Sequence, residues 1–278
     1  MDTLRTADGL SLRLQHWPPT TLFAGARGTV QLVHGLGEHI GRYGWLAAQL
    51  NAAGWRVVGH DHRGHGRSEG RRGAIPDSHS LLADLALVLD AVRQPGPHVL
   101  LGHSMGGLIA ARFVAEALAP RPAPWSRAVD GLVLSSPALD AGMSGAQKAL
   151  LAVLGRLAPN LALGNGLLPA WVSRDPAVVK AYVDDTLNHD RITPRLVRFI
   201  VDGGELVRAR AEHWTTHTLL LWAGADRCVT PAGSVAFAAA APRAVLTAQA
   251  FPGLFHEIFN EPERGDVVSH LLRWLARF

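Results

Sequence analysis

Cysteine is almost absent from this sequence, since Cys228 is the only one among 278 residues. A single cysteine excludes an intrachain disulfide and a metal cluster built on cysteine ligands. Lysine is nearly as scarce, because Lys148 and Lys180 are the only lysines among 27 basic residues. The net charge is +4, and the arginines are scattered apart from a group within residues 63–72. A nucleic-acid-binding protein shows a longer basic stripe than this, so we expect no nucleic-acid partner.

The sequence also lacks an apolar run of the ~18 residues that a bilayer span requires. Residues 1–9 contain no apolar core of the kind that a secretory signal needs. Charged residues make up only 18% of the chain and hydrophobic residues 48%. This composition excludes intrinsic disorder and suffices for a sizeable core. We therefore expect a soluble, cytoplasmic, globular protein of one large domain or two small ones.

Short apolar runs alternate with segments of helical period, which favours an α/β fold with a mostly parallel sheet and helices on both faces. The predicted strands are residues 10–16, 29–34, 56–59, 98–101, 131–135, 218–222 and 244–250. The predicted helices are residues 43–53, 80–93, 106–118, 231–240 and 263–278.

One stretch, residues 139–213, interrupts this alternation, because it shows helical patterns broken by Gly and Pro and no clear strand. Two interpretations fit it: an ordinary buried helix pair, or a helical cap inserted into the sheet domain. Its position between two halves of the sheet favours the cap, which predicts a core of residues 1–138 and 214–278. The leucine-rich part, residues 146–171, would then cover an apolar pocket and contact a membrane or micelle surface.

A nucleophile elbow is predicted at Ser104. Residues 102–107 read Gly-His-Ser-Met-Gly-Gly, between a predicted strand and a predicted helix. A G-x-S-x-G motif requires this strand–turn–helix context. The glycines let neighbouring backbone pass a strained turn, and the helix start places N–H groups near a developing oxyanion. This context disfavours the alternative of a glycine-rich loop that merely turns the chain.

A serine nucleophile needs a base, and on this architecture an acid and then a histidine follow the serine along the chain. Asp226 and His256 each come shortly after a predicted strand, which predicts a triad of Ser104, Asp226 and His256. Asp226 also fits an ordinary turn or helix cap, and His256 fits an ordinary loop histidine. The competitors for the acid and base roles lie in or beside the predicted cap: Asp202, Glu205, His213 and His217.

The backbone N–H groups of Met105 and Leu36 are the candidates for an oxyanion hole, since one follows the nucleophile and the other leaves an earlier strand. The histidines within residues 60–65 lack the ligand spacing of a metal site. We expect Asp61 and Arg63 to hold that loop together instead, and we predict no metal site. Cys228 is interpreted as a small buried side chain, with a modification site near the pocket as the alternative.

Taken in this order, the motifs resemble the α/β-hydrolase superfamily, and within it the monoacylglycerol lipase and lysophospholipase-like serine hydrolases. The resemblance covers nearly the whole chain, and it rests on residues 34–43, 61–70, 102–107, 135–139, 173–176, 224–226 and 256–261. It departs from many relatives at Thr186, where they carry proline, and at Phe259, where some carry a polar residue.

The resemblance implies hydrolysis of a carboxylic ester through an acyl-serine, with no metal or organic cofactor. The expected substrate is a monoacylglycerol or a related single-chain lipid ester, and Glu38, Arg42 and Tyr182 would line the end that holds glycerol. The alternatives are a lysophospholipase or a short-chain carboxylesterase. A cofactor-free haloperoxidase or a C–C bond hydrolase would use the same triad. A non-catalytic binding protein is disfavoured because all three triad residues are present.

Overall fold

The computed structural model describes residues 2–17 and 26–278. The strands within these residues are β1 (Thr3–Arg5), β2 (Ser11–Trp17), β3 (Thr29–Val33), β4 (Arg56–His60), β5 (His98–His103), β6 (Gly131–Ser135), β7 (Leu163–Gly164), β8 (Arg191–Ile192), β9 (Thr218–Ala223) and β10 (Leu246–Phe251). The α-helices are α1 (Gly44–Ala52), α2 (Ser80–Val92), α3 (Met105–Ala117), α4 (Gly145–Leu157), α5 (Pro176–Asp184), α6 (Pro194–Ala209), α7 (Ala232–Ala240) and α8 (Arg264–Leu275).

Eight of the strands form one sheet in the order β1-β2-β4-β3-β5-β6-β9-β10. β1 and β2 pair antiparallel, as do β2 and β4, and all later neighbours in the sheet are parallel. Every residue of β3, β5 and β6 is buried, because α1 and α8 pack on one face and α2, α3, α6 and α7 on the other. Parallel strands covered on both faces are mostly apolar, and these strands are apolar apart from Thr29, Gln31, His98, His103 and Ser135. The predicted α/β class with a mostly parallel sheet is confirmed.

The predicted strands and helices all occur, with ends shifted by at most a few residues. Two features of the sheet pattern were not predicted. β1 is a three-residue edge strand, too short to show alternation. The prediction that residues 139–213 hold no strand is wrong, because Leu163 and Gly164 pair antiparallel with Ile192 and Arg191. A ladder of two residue pairs leaves no periodic signal in a sequence.

Residues 136–217, here called the β6–β9 segment, contain α4, α5 and α6. α6 packs firmly on α3: the Arg112 guanidinium lies 4.8 Å from the centre of the Phe199 ring, and a Cβ added at Gly203 would lie 3.2 Å from Arg112. α4, by contrast, contains no buried residue. None of the helices in residues 2–17 and 26–278 combines the length and the apolar character needed to cross a membrane.

Candidate active site

Ser104 lies in the sharp turn between β5 and α3. Its backbone adopts φ +55° and ψ −121°, a conformation that residues other than glycine rarely adopt. The strain of this conformation costs about 1–3 kcal/mol. The two flanking glycines make the turn possible. A Cβ at Gly102 would lie 2.4 Å from the carbonyl oxygen of Gly106, and a Cβ at Gly106 would lie 2.0 Å from that of Val33. The predicted strand–turn–helix context of Ser104 is confirmed.

Three side chains from three strand ends form a hydrogen-bonded chain. Ser104 Oγ lies 2.8 Å from His256 Nε2, and His256 Nδ1 lies 2.7 Å from Asp226 Oδ2. Ser104, Asp226 and His256 follow β5, β9 and β10 respectively, and the carboxyl ends of these parallel strands meet at one edge of the sheet. The structure therefore brings together the three residues predicted as a triad.

Asp226 also makes the turn that was considered as the alternative to its role as the acid. Its Oδ1 accepts hydrogen bonds from the N–H groups of Cys228, at 2.8 Å, and Val229, at 3.1 Å. One carboxylate oxygen therefore fixes the loop, while the other faces His256. The competing residues lie elsewhere: Asp202 pairs with Arg198, Glu205 with Lys148, and His213 and His217 are exposed.

The electrostatics of this group favour proton transfer through His256. Burial opposes a charge on the imidazole, but the Asp226 carboxylate, together with Glu257 and Glu38, outweighs it and raises the pKa of His256 above 6.5. The neighbouring His103 ring lies 4.7 Å from the His256 ring, centre to centre. Burial lowers the pKa of His103 to about 4, so this second imidazole is a weaker base than His256.

The loop after β3 lies beside Ser104, since a Cβ added at Gly35 would lie 3.2 Å from the Cβ of Ser104. Within the described residues, neither the N–H of Leu36 nor that of Met105 has a protein acceptor. Glu38 holds the loop, because its Oε1 accepts hydrogen bonds from the Gly35 N–H at 2.6 Å and from the Tyr43 hydroxyl at 2.7 Å. Unused donors on a fixed loop beside a nucleophile suit the stabilisation of an oxyanion.

The β6–β9 segment contacts this loop at two points. The His189 N–H donates to the Gly37 carbonyl at 2.8 Å, and His39 Nε2 lies 2.7 Å from Asp185 Oδ2. From the other side, Asp61 accepts hydrogen bonds from the N–H groups of Ile40 and Arg67. The loop is therefore held both by Asp61, directly after β4, and by the β6–β9 segment.

A cavity of about 380 Å³ opens above Ser104 and has two chemical characters. Its apolar side chains are Leu36, Leu167, Leu168, Pro169, Val172 and Val183. Its polar side chains include Glu38, Tyr182, Asp185, Asn188, Asp190 and Glu257. A cavity lined by both apolar and polar side chains, with Ser104 among them, can hold an amphipathic molecule.

Of the three residues expected at the glycerol end, Glu38 and Tyr182 line this cavity, whereas Arg42 is absent from its described lining. Arg42 instead bridges Glu38 and Glu257, and the Tyr182 ring lies 4.7 Å from its guanidinium carbon. Glu257 was not predicted, although its position directly after His256 could have drawn attention to it.

The loop of residues 61–70 serves as support for the site. Arg63 forms ion pairs with Asp8 and with the buried Asp84, and Asp61 holds the backbone as described above. Cys228 lines the cavity, and burial together with the Asp226 charge raises the pKa of its thiol. A thiol held protonated in this way is a poor nucleophile, but Cys228 is only partly buried, so the interpretation as a small buried side chain is not confirmed.

The fold and the Ser–His–Asp geometry define a serine hydrolase with the α/β-hydrolase fold. The chain belongs to the family whose model is described as serine aminopeptidase, S33, which matches residues 24–263.

Named relatives can be aligned with most of this chain. The sequence is 35% identical over 274 residues to a monoacylglycerol lipase of Mycolicibacterium smegmatis, covering 96% of this chain and 94% of that protein. It is 34% identical over 288 residues to monoglyceride lipase of Homo sapiens, covering 99% and 89%. The crystal structure of Paleococcus ferrophilus monoacylglycerol lipase is similar with a TM-score of 0.83 and 36% identity, covering 95% of this chain and 98% of that one.

Proposed function

We propose that this protein is a carboxylester hydrolase that cleaves monoacylglycerols to a fatty acid and glycerol. The observation that carries the proposal is the hydrogen-bonded chain from Ser104 through His256 to Asp226, at a cavity lined by both apolar and polar side chains. The names of the similar relatives support the same substrate class.

The mechanism follows from this geometry. His256 Nε2 takes the proton of Ser104 Oγ as this oxygen attacks the ester carbonyl, and Asp226 stabilises the imidazolium that forms. The N–H groups of Leu36 and Met105 bind the oxyanion of the tetrahedral intermediate. His256 then gives its proton to the departing glycerol oxygen. Water, activated by the same histidine, attacks the acyl-serine and releases the fatty acid.

The polar lining favours a neutral alcohol over a phosphate-bearing one. Glu38, Asp185, Asp190 and Glu257 line the cavity, and within the described residues no arginine or lysine does. Glycerol hydroxyls donate hydrogen bonds to such carboxylates, whereas a lysophospholipid phosphate would face a lining that stays net negative even with Arg42 paired to Glu38 and Glu257. This charge distribution favours a monoacylglycerol lipase over the alternative of a lysophospholipase.

The domain division and the surface contact are part of the same proposal. Residues 139–213 would act as a cap over a core of residues 1–138 and 214–278. In this cap, Leu167 and Leu168 line the cavity and would contact the acyl chain. On α4, Leu150 and Leu157 are 58% and 80% exposed. Exposed apolar side chains beside a lipid-binding cavity would make a peripheral contact with a membrane or micelle that carries the substrate.

The test is a hydrolysis panel of 1-monoacylglycerols of several chain lengths, lysophosphatidylcholine and short p-nitrophenyl esters. We expect the monoacylglycerols to give the highest kcat/KM, and Ser104→Ala to reduce it by more than about 10⁴-fold. Tyr182→Phe, which removes only one hydroxyl from the polar lining, should raise KM for monoacylglycerols and leave hydrolysis of p-nitrophenyl acetate unchanged. Activity on short esters alone would discard the lipid substrate, and activity that survives Ser104→Ala would discard the mechanism.

A further inference from the structure

Arg42 is a buried cation held between two buried carboxylates. Its Nη1 donates to Glu38 Oε2 at 2.8 Å and to Glu257 Oε1 at 2.6 Å, and its Nη2 donates to Glu257 Oε2 at 2.8 Å. The three side chains are only 10%, 5% and 6% exposed. The two parallel bonds to Glu257 form the bidentate pair that a guanidinium makes and an ammonium does not.

Each carboxylate belongs to a different part of the proposed active site. Glu38 accepts the Gly35 N–H and so fixes the backbone that leads into Leu36. Glu257 directly follows His256, and its own N–H donates to the Val172 carbonyl at 2.8 Å. These two loops lie far apart in sequence, and Arg42 bridges them through side-chain hydrogen bonds.

The geometry also argues against Arg42 as a ligand for the alcohol. Its Nη atoms already donate to two carboxylates, the Tyr182 ring packs over the guanidinium at 4.7 Å, and the side chain does not contribute to the described lining of the 380 Å³ cavity. A substrate hydroxyl would have to displace a charge-assisted hydrogen bond to reach it.

We propose that Arg42 is a positioning residue that fixes the oxyanion loop relative to His256 and balances the charge of the two carboxylates that face this base. The inference rests on the proposed function, because it takes Ser104 as the nucleophile and His256 as its base. Arg42 would act through Glu38 and Glu257 and would not touch the substrate.

The charge balance gives the proposal a readout that a purely structural role would not give. With one cation and two carboxylates, the net charge of Glu38, Arg42 and Glu257 is −1. Removing Arg42 alone makes it −2, removing the Glu257 charge alone makes it 0, and removing both restores −1. The titratable groups that face His256 are Asp226, Glu257, Glu38, His103 and Cys228. Those that face Arg42 are Glu38, Glu257, Tyr43, Tyr182 and Asp185.

More negative charge beside His256 stabilises its protonated form and should move the acid limb of reactivity to higher pH. The experiment measures the rate at which a fluorophosphonate probe labels Ser104 between pH 5 and 9, which requires no assumption about the ester. We expect Arg42→Met to label more slowly, with its acid limb about one pH unit higher. Glu257→Gln should move the limb to lower pH, and the double variant should return it toward the wild-type position.

Arg42→Lys is the matched control, because it keeps the charge and loses the bidentate geometry. It should label about tenfold more slowly, because small displacements of groups at an active site reduce the rate. Its acid limb should stay at the wild-type pH. Thermal melting of each variant checks folding. If Arg42→Met does not fold, Glu257→Gln alone tests whether charge in this group sets the pH of the acid limb: a limb at lower pH supports the proposal, and an unmoved limb contradicts it.

The proposal would be overturned if Arg42→Met labelled at the wild-type rate and kept the wild-type acid limb of the pH profile. An increase in KM for monoacylglycerols with unchanged labelling would overturn it too, and would make Arg42 an alcohol ligand. Wild-type protein that labels but does not hydrolyse monoacylglycerols would discard only the proposed substrate. Wild-type protein that does not label would discard both proposals.

Discussion

Helices α3 and α4 are both 13 residues long, yet they are held in opposite ways. Eleven residues of α3 are buried, and none of α4 is. α4 is instead stabilised locally, by the Ser144–Gln147 capping box and by an exposed ion pair between Lys148 and Glu205. The helix behind the nucleophile is thus fixed by the core, whereas α4 leaves Leu150 and Leu157 exposed to the solvent.

The largest expected difference between the two regions is in stability. Leu108→Ala in α3 removes a fully buried side chain and should lower the free energy of unfolding by about 2–5 kcal/mol. Leu157→Ala makes the same change in α4 where the side chain is 80% exposed, and should change it by less than about 0.5 kcal/mol. Urea denaturation of both variants measures the difference. Equal losses would show that α4 packs on the core in solution.

His60, the last residue of β4, should make the stability of the protein sensitive to acid. Within the described residues neither ring nitrogen of His60 has a hydrogen-bond partner, and burial lowers its pKa from 6.5 to about 4. The unfolded chain takes up this proton below pH 6.5 and the folded one only near pH 4. Stability is therefore lost as the pH falls through that window, by about 3 kcal/mol at pH 4 for this group.

His60→Leu should remove this contribution and flatten the dependence of the unfolding free energy on pH between 6.5 and 4. At pH 7 it should be neutral or stabilising, since it removes unpaired buried polar atoms. His213→Leu, at an exposed position, controls for the loss of a histidine. An unchanged pH slope in His60→Leu would mean that this imidazole is solvated or hydrogen-bonded in the folded protein.

The smallest expected effect concerns the exposed face of α4. The double variant Leu150→Ser and Leu157→Ser should reduce binding to phosphatidylcholine vesicles several-fold, because it removes apolar area from a surface contact. Hydrolysis of p-nitrophenyl acetate in solution should not change. Val235→Ser in α7, at a side chain 53% exposed, is the matched control. If vesicle flotation shows no binding of the wild-type protein, the proposed surface contact is wrong.

The sequence predicted best those features whose cause is local. The elbow at Ser104 depends on adjacent glycines, and Asp226 and His256 each follow an apolar strand, so their neighbours in sequence also determine their place in the fold. Arg42 is different, because its partner Glu257 lies 215 residues away and only the sheet order brings their loops together. The exposure of α4 could not be predicted from the sequence either, because the same leucine pattern fits a buried helix and a surface helix.

The sheet order also has a consequence for the order in which the site is synthesised. Ser104 precedes His256 by 152 residues, and the acid and the base follow β9 and β10, which add to the sheet after β6. A nascent chain that has completed β6 therefore carries the nucleophile on a finished strand but has no base for it. Ester hydrolysis can begin only when the last two strands have paired, so the appearance of activity during translation or refolding reports the completion of the sheet.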